Sequence, residues 1–201
     1  VSDAGEGRRC LRILNAAVSV PLRQIRALHD AETITVYQAY PPEIAEPALA
    51  AGRFVPPFRR ERMTWIKPSF RWMMYRCGWA TKPGQEQVLA VRITRDGFEW
   101  ALEHAALSHF QAGFHADRRT WLDQVKQSPV RVQWDPERDL HLAPLPYRSL
   151  QVGLSGPAVT RYLDEWIVGL EDVTGLAHQI RDLLRAGDRP AAESLLPAET
   201  P

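Results

Sequence analysis

The chain has 201 residues, of which 45% are hydrophobic and 24% are charged, and its formal net charge is only +1. These values suit one sizeable globular core, leave little room for two full domains, and lack the broad basic surface of a dedicated nucleic-acid binder. No stretch approaches the roughly 18 consecutive apolar residues of a membrane span. We therefore expect a cytoplasmic enzyme or binding domain with no membrane partner.

In the first half of the chain, hydrophobic periodicity and helix-stop signals define the elements. Thr33–Tyr40 is rich in β-branched and aromatic residues, which is typical of a strand, and Gly52 and Gly78 are typical helix stops. The predicted order is a disordered lead over residues 1–10, a strand Thr33–Tyr40, a helix from Pro42 to near Gly52, a short strand Met63–Ile66, a helix from Pro68 to Cys77, and a strand Val88–Thr94.

In the second half, amphipathic helices alternate with short strands. The predicted order is a helix capped by Asp96, a helix over residues 118–126, a strand over residues 130–134, a turn at WDPERD, a strand over residues 149–154, helices over residues 156–167 and 173–186, and a loosely ordered tail over residues 188–201. Because no internal linker or repeat divides the chain, we expect residues 11–187 to form a single α+β domain. This domain should have a mixed, mainly antiparallel sheet flanked by helices.

Residues 53–79, which we call the cationic aromatic segment, carry the strongest functional signal. Forked guanidinium groups beside flat rings suit a phosphate-bearing ligand with a base to stack. The segment contains one acid before Arg76, Glu61. Its cations are Arg53, Arg59, Arg60, Arg62, Lys67, Arg71 and Arg76, and its Trp and Tyr residues and one interleaved Phe are Trp65, Phe70, Trp72, Tyr75 and Trp79.

A helix that begins at Pro68 directs its first amide groups toward an anion near Lys67 and Ser69. In the alternative interpretation Ser69 only caps the helix and Lys67 is solvated. The apolar stripe of this helix predicts core packing, so Arg71 and Tyr75 are expected on or beside the opposite face. The stripe consists of Phe70, Met73, Met74 and Cys77.

Polar residues elsewhere leave alternatives open. Tyr37, Gln38 and Tyr40 lie near the carboxyl end of a strand, where sites often gather, although a tyrosine there also suits a core. Ser149 and Gln151 share one face of a strand that forms either an exposed surface, which we favour, or the floor of a cleft. Asp135, Glu137 and Asp139 form either an acid–base cluster or, as we favour, a plain turn. The cysteine and histidine spacings indicate neither a disulfide framework nor a metal site.

Three blocks of the sequence resemble the family known as domain of unknown function 4291. These blocks are VYQAY, RMTWIKPSFRWMMYRCGWA and RSLQVGLSGPAVTRYLDEWIVGLEDVT, and the resemblance extends from about Ile25 to Leu184. The resemblance implies a family but no chemistry.

The amino-terminal layout is also similar to the opening of ADP-ribosyltransferase-like domains. There, a strand carrying an NAD-contacting residue precedes a helix and a Gly-bounded loop, as VYQAY precedes a helix and Gly52 here. This similarity implies a split mixed sheet that clamps NAD, with a glutamate on a later strand. The usual His-Gly-Thr is replaced by Tyr37-Gln38-Ala39, and Glu137 and Glu171 are the nearest candidates for the glutamate.

The similarity implies an ADP-ribosyltransferase that uses NAD as a substrate and modifies a nucleic acid or a protein. The expected catalytic residues are Tyr37, Gln38, Lys67 and Tyr75. The expected NAD-binding residues are Tyr40, Arg62, Trp65, Ser69, Arg71 and Arg76. The alternative is a non-catalytic module that binds single-stranded nucleic acid or RNA through the same segment.

Overall fold

The computed structural model describes residues 20–201, which contain seven strands and seven α-helices. The predicted disordered lead lies outside the described residues. The strands are β1 Thr33–Tyr40, β2 Thr64–Ile66, β3 Gln87–Thr94, β4 Ala105–Leu107, β5 Val130–Arg138, β6 Pro144–Leu154 and β7 Ile167–Asp172. The helices are α1 Pro42–Ala51, α2 Phe70–Cys77, α3 Arg95–Glu103, α4 Arg118–Gln127, α5 Pro157–Arg161, α6 Thr174–Arg185 and α7 Arg189–Ser194.

The strands form two sheets, which confirms the predicted α+β class with mainly antiparallel pairing. One sheet has the order β1-β3-β7 and is antiparallel, and the other has the order β2-β6-β5-β4, in which only β4 and β5 are parallel. The sheets meet at β1 and β2. There the Tyr37 amide donates to the Lys67 carbonyl at 2.7 Å, and the Lys67 amide donates to the Tyr37 carbonyl at 3.3 Å.

The central strand of the smaller sheet is apolar because it is covered on both faces. Val88, Val91 and Ile93 of β3 are fully buried. Full burial of such a side chain contributes roughly 1.5–3 kcal/mol. Strand β3 therefore anchors the smaller sheet. Its neighbour in that sheet, β1, lies beside β2 of the larger sheet.

Helix α2 follows the sequence pattern closely. Its N-cap is Ser69, whose Oγ accepts a hydrogen bond from the Trp72 amide at 3.2 Å. Gly78 ends it in the left-handed region at φ 61°, which glycine adopts without a steric penalty. The predicted apolar stripe is confirmed, since its four members are buried: Phe70, Met73, Met74 and Cys77.

Three local predictions are wrong. The WDPERD turn is part of β5, which accommodates Pro136 because the register with β6 shifts next to it and β4 does not extend that far. The helix predicted over residues 156–167 ends at Arg161, after which a π-helical turn, Tyr162–Trp166, leads into β7. Thr94, not Asp96, caps α3, because its side chain accepts from the Gly97 amide.

The carboxyl-terminal residues 188–201, for which a loosely ordered tail is predicted, carry α7 and one backbone pairing. The Ala27 amide donates to the Thr200 carbonyl at 3.0 Å, and the Thr200 amide donates back at 2.9 Å. Within residues 20–201, every helix is too short or too polar to cross a bilayer.

Candidate functional site

A cavity of about 960 Å³ opens where the two sheets meet. Its floor is one face of the larger sheet. Trp65 in β2 pairs with Gly153 in β6, and one step further along the sheet Gln151 pairs with Gln133 in β5. Since side chains two residues apart on a strand share a face, Lys67 follows Trp65 on this floor.

The indole of Trp65 lies directly against the backbone of Gly153. A Cβ atom at residue 153 would lie 2.9 Å from the Trp65 ring, which is closer than real Cβ contacts allow. The glycine therefore lets the ring lie against the strand. This places a broad aromatic surface in the cavity lining.

Two glutamines on the floor are held by a single carboxylate. Gln133 Nε2 donates to Asp135 Oδ1 at 2.9 Å, and Gln151 Nε2 donates to Asp135 Oδ2 at 2.7 Å. The Oε1 of Gln133 also accepts from the Ser108 hydroxyl at 3.3 Å. Asp135 thus fixes the orientation of both amide groups. Oriented amides are suited to hydrogen bonding with a base or a sugar.

Gln38 closes another wall of the cavity through a buried network. Its side chain is 2% exposed, and its Nε2 donates to Thr64 Oγ1 at 2.6 Å and to the Tyr40 hydroxyl at 2.8 Å. Its Oε1 accepts from the Tyr162 hydroxyl at 2.6 Å. Burial raises the pKa of Tyr40 to about 12, so that phenol stays neutral. The network holds this wall rigid.

Among the described residues that line the cavity, Lys67 is the one deeply buried cation. It is 6% exposed, and its Nζ makes one long hydrogen bond, 3.4 Å, to the Trp65 carbonyl. Among the ion pairs of residues 20–201, none involves Lys67. Burial, assisted by the charge of Arg76, lowers the pKa of Lys67 to about 8, although Cys77 and Asp135 oppose this shift.

The rim of the cavity is strongly cationic. Arg59, Arg62 and Arg76 are exposed at the cavity, and among the described residues that line it, Glu43 is the only acid. With Lys67, four cations face one carboxylate. This balance favours an anionic ligand, and phosphate groups match the guanidinium geometry.

Six of the ten predicted site residues line this cavity. They are Gln38, Tyr40, Arg62, Trp65, Lys67 and Arg76. The structure therefore brings together residues from the VYQAY strand and from the cationic aromatic segment. These two segments lie at one cavity because β1 contacts the end of β2, and the sequence does not predict that contact.

The other four predicted residues do not line it. Tyr37 points to the other face of β1, where it packs edge-on against Phe70 at 5.4 Å and lines a separate cavity of about 690 Å³. Ser69 is buried and caps α2. Arg71 Nη2 donates to the Tyr147 hydroxyl at 3.2 Å.

The ring of Tyr75 is already in contact with neighbouring side chains. Its ring stacks on Trp72 at 5.0 Å, and the Arg138 guanidinium lies 3.7 Å from its centroid. The helical turn that places Met73 and Arg76 at the cavity directs Tyr75 elsewhere. Stacking of Tyr75 on a nucleotide would require these contacts to break.

Sequence reasoning did not place Gln133 in the site, favoured the wrong alternative for Gln151, and misplaced the carboxylates. The polar line that contains Gln151 forms the floor of a cleft, not the favoured exposed face. Glu137 is 3% exposed and accepts a hydrogen bond from the Arg138 amide, away from the cavity lining. Glu171 lines the cavity of Tyr37. Alternation of polar residues along β5 and β6 was the signal that pointed to this floor.

Comparison with known proteins identifies a family but no activity. Residues 24–201 match the family described as "Domain of unknown function (DUF4291)", and the chain therefore belongs to that family. No curated protein matches the chain.

Proposed function

We propose that the chain binds NAD in the cavity between the two sheets and transfers its ADP-ribose group to a nucleic-acid or protein acceptor. The observation that carries the proposal is the lining itself, to which residues 20–201 contribute four cations, one acid and the flat ring of Trp65 around about 960 Å³. This volume lies within the roughly 300–1,000 Å³ of ordinary ligand pockets.

The lining supplies a partner for each part of a dinucleotide. Arg62 and Arg76 would neutralise the pyrophosphate, and Trp65 would stack on one of the two bases. The oriented amides of Gln133 and Gln151 would hydrogen-bond with a ribose or with the carboxamide of nicotinamide.

The reaction breaks the bond between the nicotinamide nitrogen and C1 of the ribose. Nicotinamide leaves with the bonding electrons, the acceptor nucleophile bonds to C1, and its proton passes to solvent. Positive charge develops on the ribose in between, and a carboxylate stabilises it electrostatically. Glu43 is the only acid among the described lining residues, so it would supply this carboxylate. Tyr37 and Tyr75 take no part in this scheme because neither lines the cavity.

Two measurements test the proposal. NAD binding is followed by calorimetry, and transfer is followed with labelled NAD and candidate acceptors. The double variant Arg62→Gln and Arg76→Gln should weaken NAD binding at least about tenfold, since each charge-assisted hydrogen bond contributes about 1.5–3 kcal/mol. The matched control is Arg119→Gln on α4, an exposed arginine away from the cavity, which should bind as the parent does. Unchanged binding in the double variant, or no label transfer, would contradict the proposal.

The exposure of the rim favours one alternative, a non-catalytic module for single-stranded nucleic acid. Arg59, Arg62 and Arg76 are all exposed, and exposed guanidinium groups at one cavity are suited to a phosphate backbone. That function predicts affinity for single strands that falls steeply with salt, whereas binding of NAD within the cavity should depend less on salt.

A further inference from the structure

We propose a second chemistry for this cavity, in which the side-chain amine of Lys67 condenses with the carbonyl carbon of a phosphorylated aldehyde, such as the open-chain form of a pentose phosphate. The product is an imine. This inference requires the cavity but not NAD, so it stands or falls separately from the proposed function.

The surroundings of the amine favour a nucleophile over a structural cation. A buried lysine that serves structure is ordinarily paired with a carboxylate, whereas within residues 20–201 the Lys67 Nζ has only the 3.4 Å contact with the Trp65 carbonyl. The charged and titratable groups that act on it are Arg76 and Cys77 from α2 and Asp135 from β5. The lowered pKa of about 8 means that a substantial fraction of the amine is neutral at pH 8, and only the neutral amine has the lone pair that attacks a carbonyl.

The rest of the lining selects the kind of aldehyde. Arg59, Arg62 and Arg76 at the rim provide the charge that holds a phosphate, while Lys67 lies deeper, on the floor. The same lining includes Gln133 and Gln151, which present amides whose orientation Asp135 fixes. A short polyhydroxylated chain with phosphate at one end and an aldehyde at the other matches this set of groups.

The step is balanced without any further reactant. The nitrogen of Lys67 forms a bond to the carbonyl carbon, and the carbon–oxygen double bond is replaced by a carbon–nitrogen double bond. The carbonyl oxygen leaves as water and carries both protons of the neutral amine. The reaction is reversible, and a hydride donor such as cyanoborohydride traps the imine as a stable secondary amine.

The chain contains its own internal controls, because it has only three lysines, Lys67, Lys82 and Lys126. Lys82 is exposed and donates to the carbonyls of Tyr75 and Arg76 at 3.1 and 2.9 Å. Lys126 is exposed on α4. If solvent exposure alone decides the rate, the exposed pair reacts at least as fast as Lys67.

The experiment treats the whole chain with ribose 5-phosphate and cyanoborohydride at several pH values and locates the adducts by peptide mass spectrometry. We expect at least about tenfold more adduct at Lys67 than at Lys82 or Lys126, rising as pH increases through about 8. Ribose without phosphate should lose this preference, and so should ribose 5-phosphate with the double variant Arg62→Gln and Arg76→Gln.

Equal labelling of the three lysines in the parent protein, or labelling that ignores the phosphate, would overturn the inference. Neither outcome requires a variant to fold. Selective labelling in a protein that fails to bind NAD would refute the proposed function alone, whereas NAD binding without selective labelling would refute this inference alone.

Discussion

Two buried ionisable side chains near helix α2, Lys67 and Glu199, differ in their hydrogen bonding. Lys67 lies in the cavity, and no carboxylate of the described part of the chain is paired to it. Glu199 lies at the first turn of α2, where its Oε1 accepts from the Phe70 amide at 2.5 Å. Burial raises the pKa of Glu199 to about 8, Glu137 adds to the shift, and the Phe70 amide and the cations Arg71 and Arg26 oppose it.

This difference indicates a structural role for Glu199 and a functional role for Lys67. The carboxyl of Glu199 accepts a hydrogen bond from the Phe70 amide at a helix terminus, so this group has a structural role even though its burial costs stability once it ionises. The amine of Lys67 gains nothing comparable from the fold. Its burial is a cost to folding, and perturbed ionisable groups of this kind cluster at functional sites.

The largest expected effect comes from Lys67→Met, which removes the charge and keeps the length of the side chain. The pKa of Lys67 falls from its ordinary 10.5 to about 8, which corresponds to about 3 kcal/mol. The variant should therefore raise the free energy of unfolding at pH 7 by about this amount. Since the unfolded parent chain holds a proton that the folded chain lacks between pH 8 and 10.5, the parent gains stability across that range and the advantage of the variant disappears.

Urea unfolding at pH 7 and at pH 10.5 measures this effect. A variant that is less stable than the parent at pH 7 would mean that the Lys67 ammonium is well satisfied, and the contrast with Glu199 would fail.

On the other side of α2, Glu199→Ala should destabilise by about 2 kcal/mol, because the buried Phe70 amide loses its acceptor. Glu199→Gln keeps an acceptor and should cost less. The raised pKa of Glu199 means that the folded parent retains a proton lost by the unfolded chain, so its stability falls as pH rises from 4.5 through about 8. Thermal unfolding at pH 5 and pH 9 should show this slope in the parent and not in Glu199→Gln. An identical slope in both would assign the pH dependence to another group.

The two sides of α2 also differ in how far the sequence predicted them. The cationic aromatic segment predicted an anion site, and Arg62, Trp65 and Lys67 do line the cavity. The partners of Lys67 on the floor, Gln133 and Gln151, come from strands about 65 and 85 residues further along the chain, and only the pairing of β2 with β6 brings them together.

Local signals predicted α2 and both its caps well and failed where tertiary contacts override propensity. The caps Ser69 and Gly78 bound α2 as their chemistry requires. Pro136 is typical of a turn, yet a register shift allows β5 to continue through it. No local sequence pattern pointed to Glu199, because its contact with the Phe70 amide forms only once Thr200 has paired with Ala27.

A smaller effect is expected at the contact between Trp65 and Gly153. Gly153→Ala would place a methyl group 2.9 Å from the ring and should cost about 1–2 kcal/mol, because the indole must move. The matched control is Gly175→Ala in α6, where nothing lies within 4 Å and a helix favours alanine. Urea unfolding compares the two variants, and NAD titration shows whether the displaced ring weakens binding. Equal stabilities would indicate that Trp65 is not held against β6.

The smallest effect tests the link between Asp135 and Lys67. The carboxylate of Asp135 raises the pKa of Lys67 against the stronger effect of burial, so Asp135→Asn should lower that pKa further. The pH at which Lys67 is half labelled by ribose 5-phosphate should then move to lower values. Asp123→Asn, at an exposed residue of α4, should leave it in place. A shift toward higher pH would show that the glutamine pair, not the charge of Asp135, controls the amine.

The main chain of Lys67 has a further consequence. Its amide and carbonyl are both bound to Tyr37, so the residue that carries the buried amine is also the joint between the two sheets. Any motion that parts the sheets must break both bonds, and the amide hydrogens of Tyr37 and Lys67 should exchange with deuterium only through near-global opening. A ligand must therefore enter past the arginines of the rim, because the two sheets stay hydrogen-bonded behind the Lys67 amine for as long as the protein is folded.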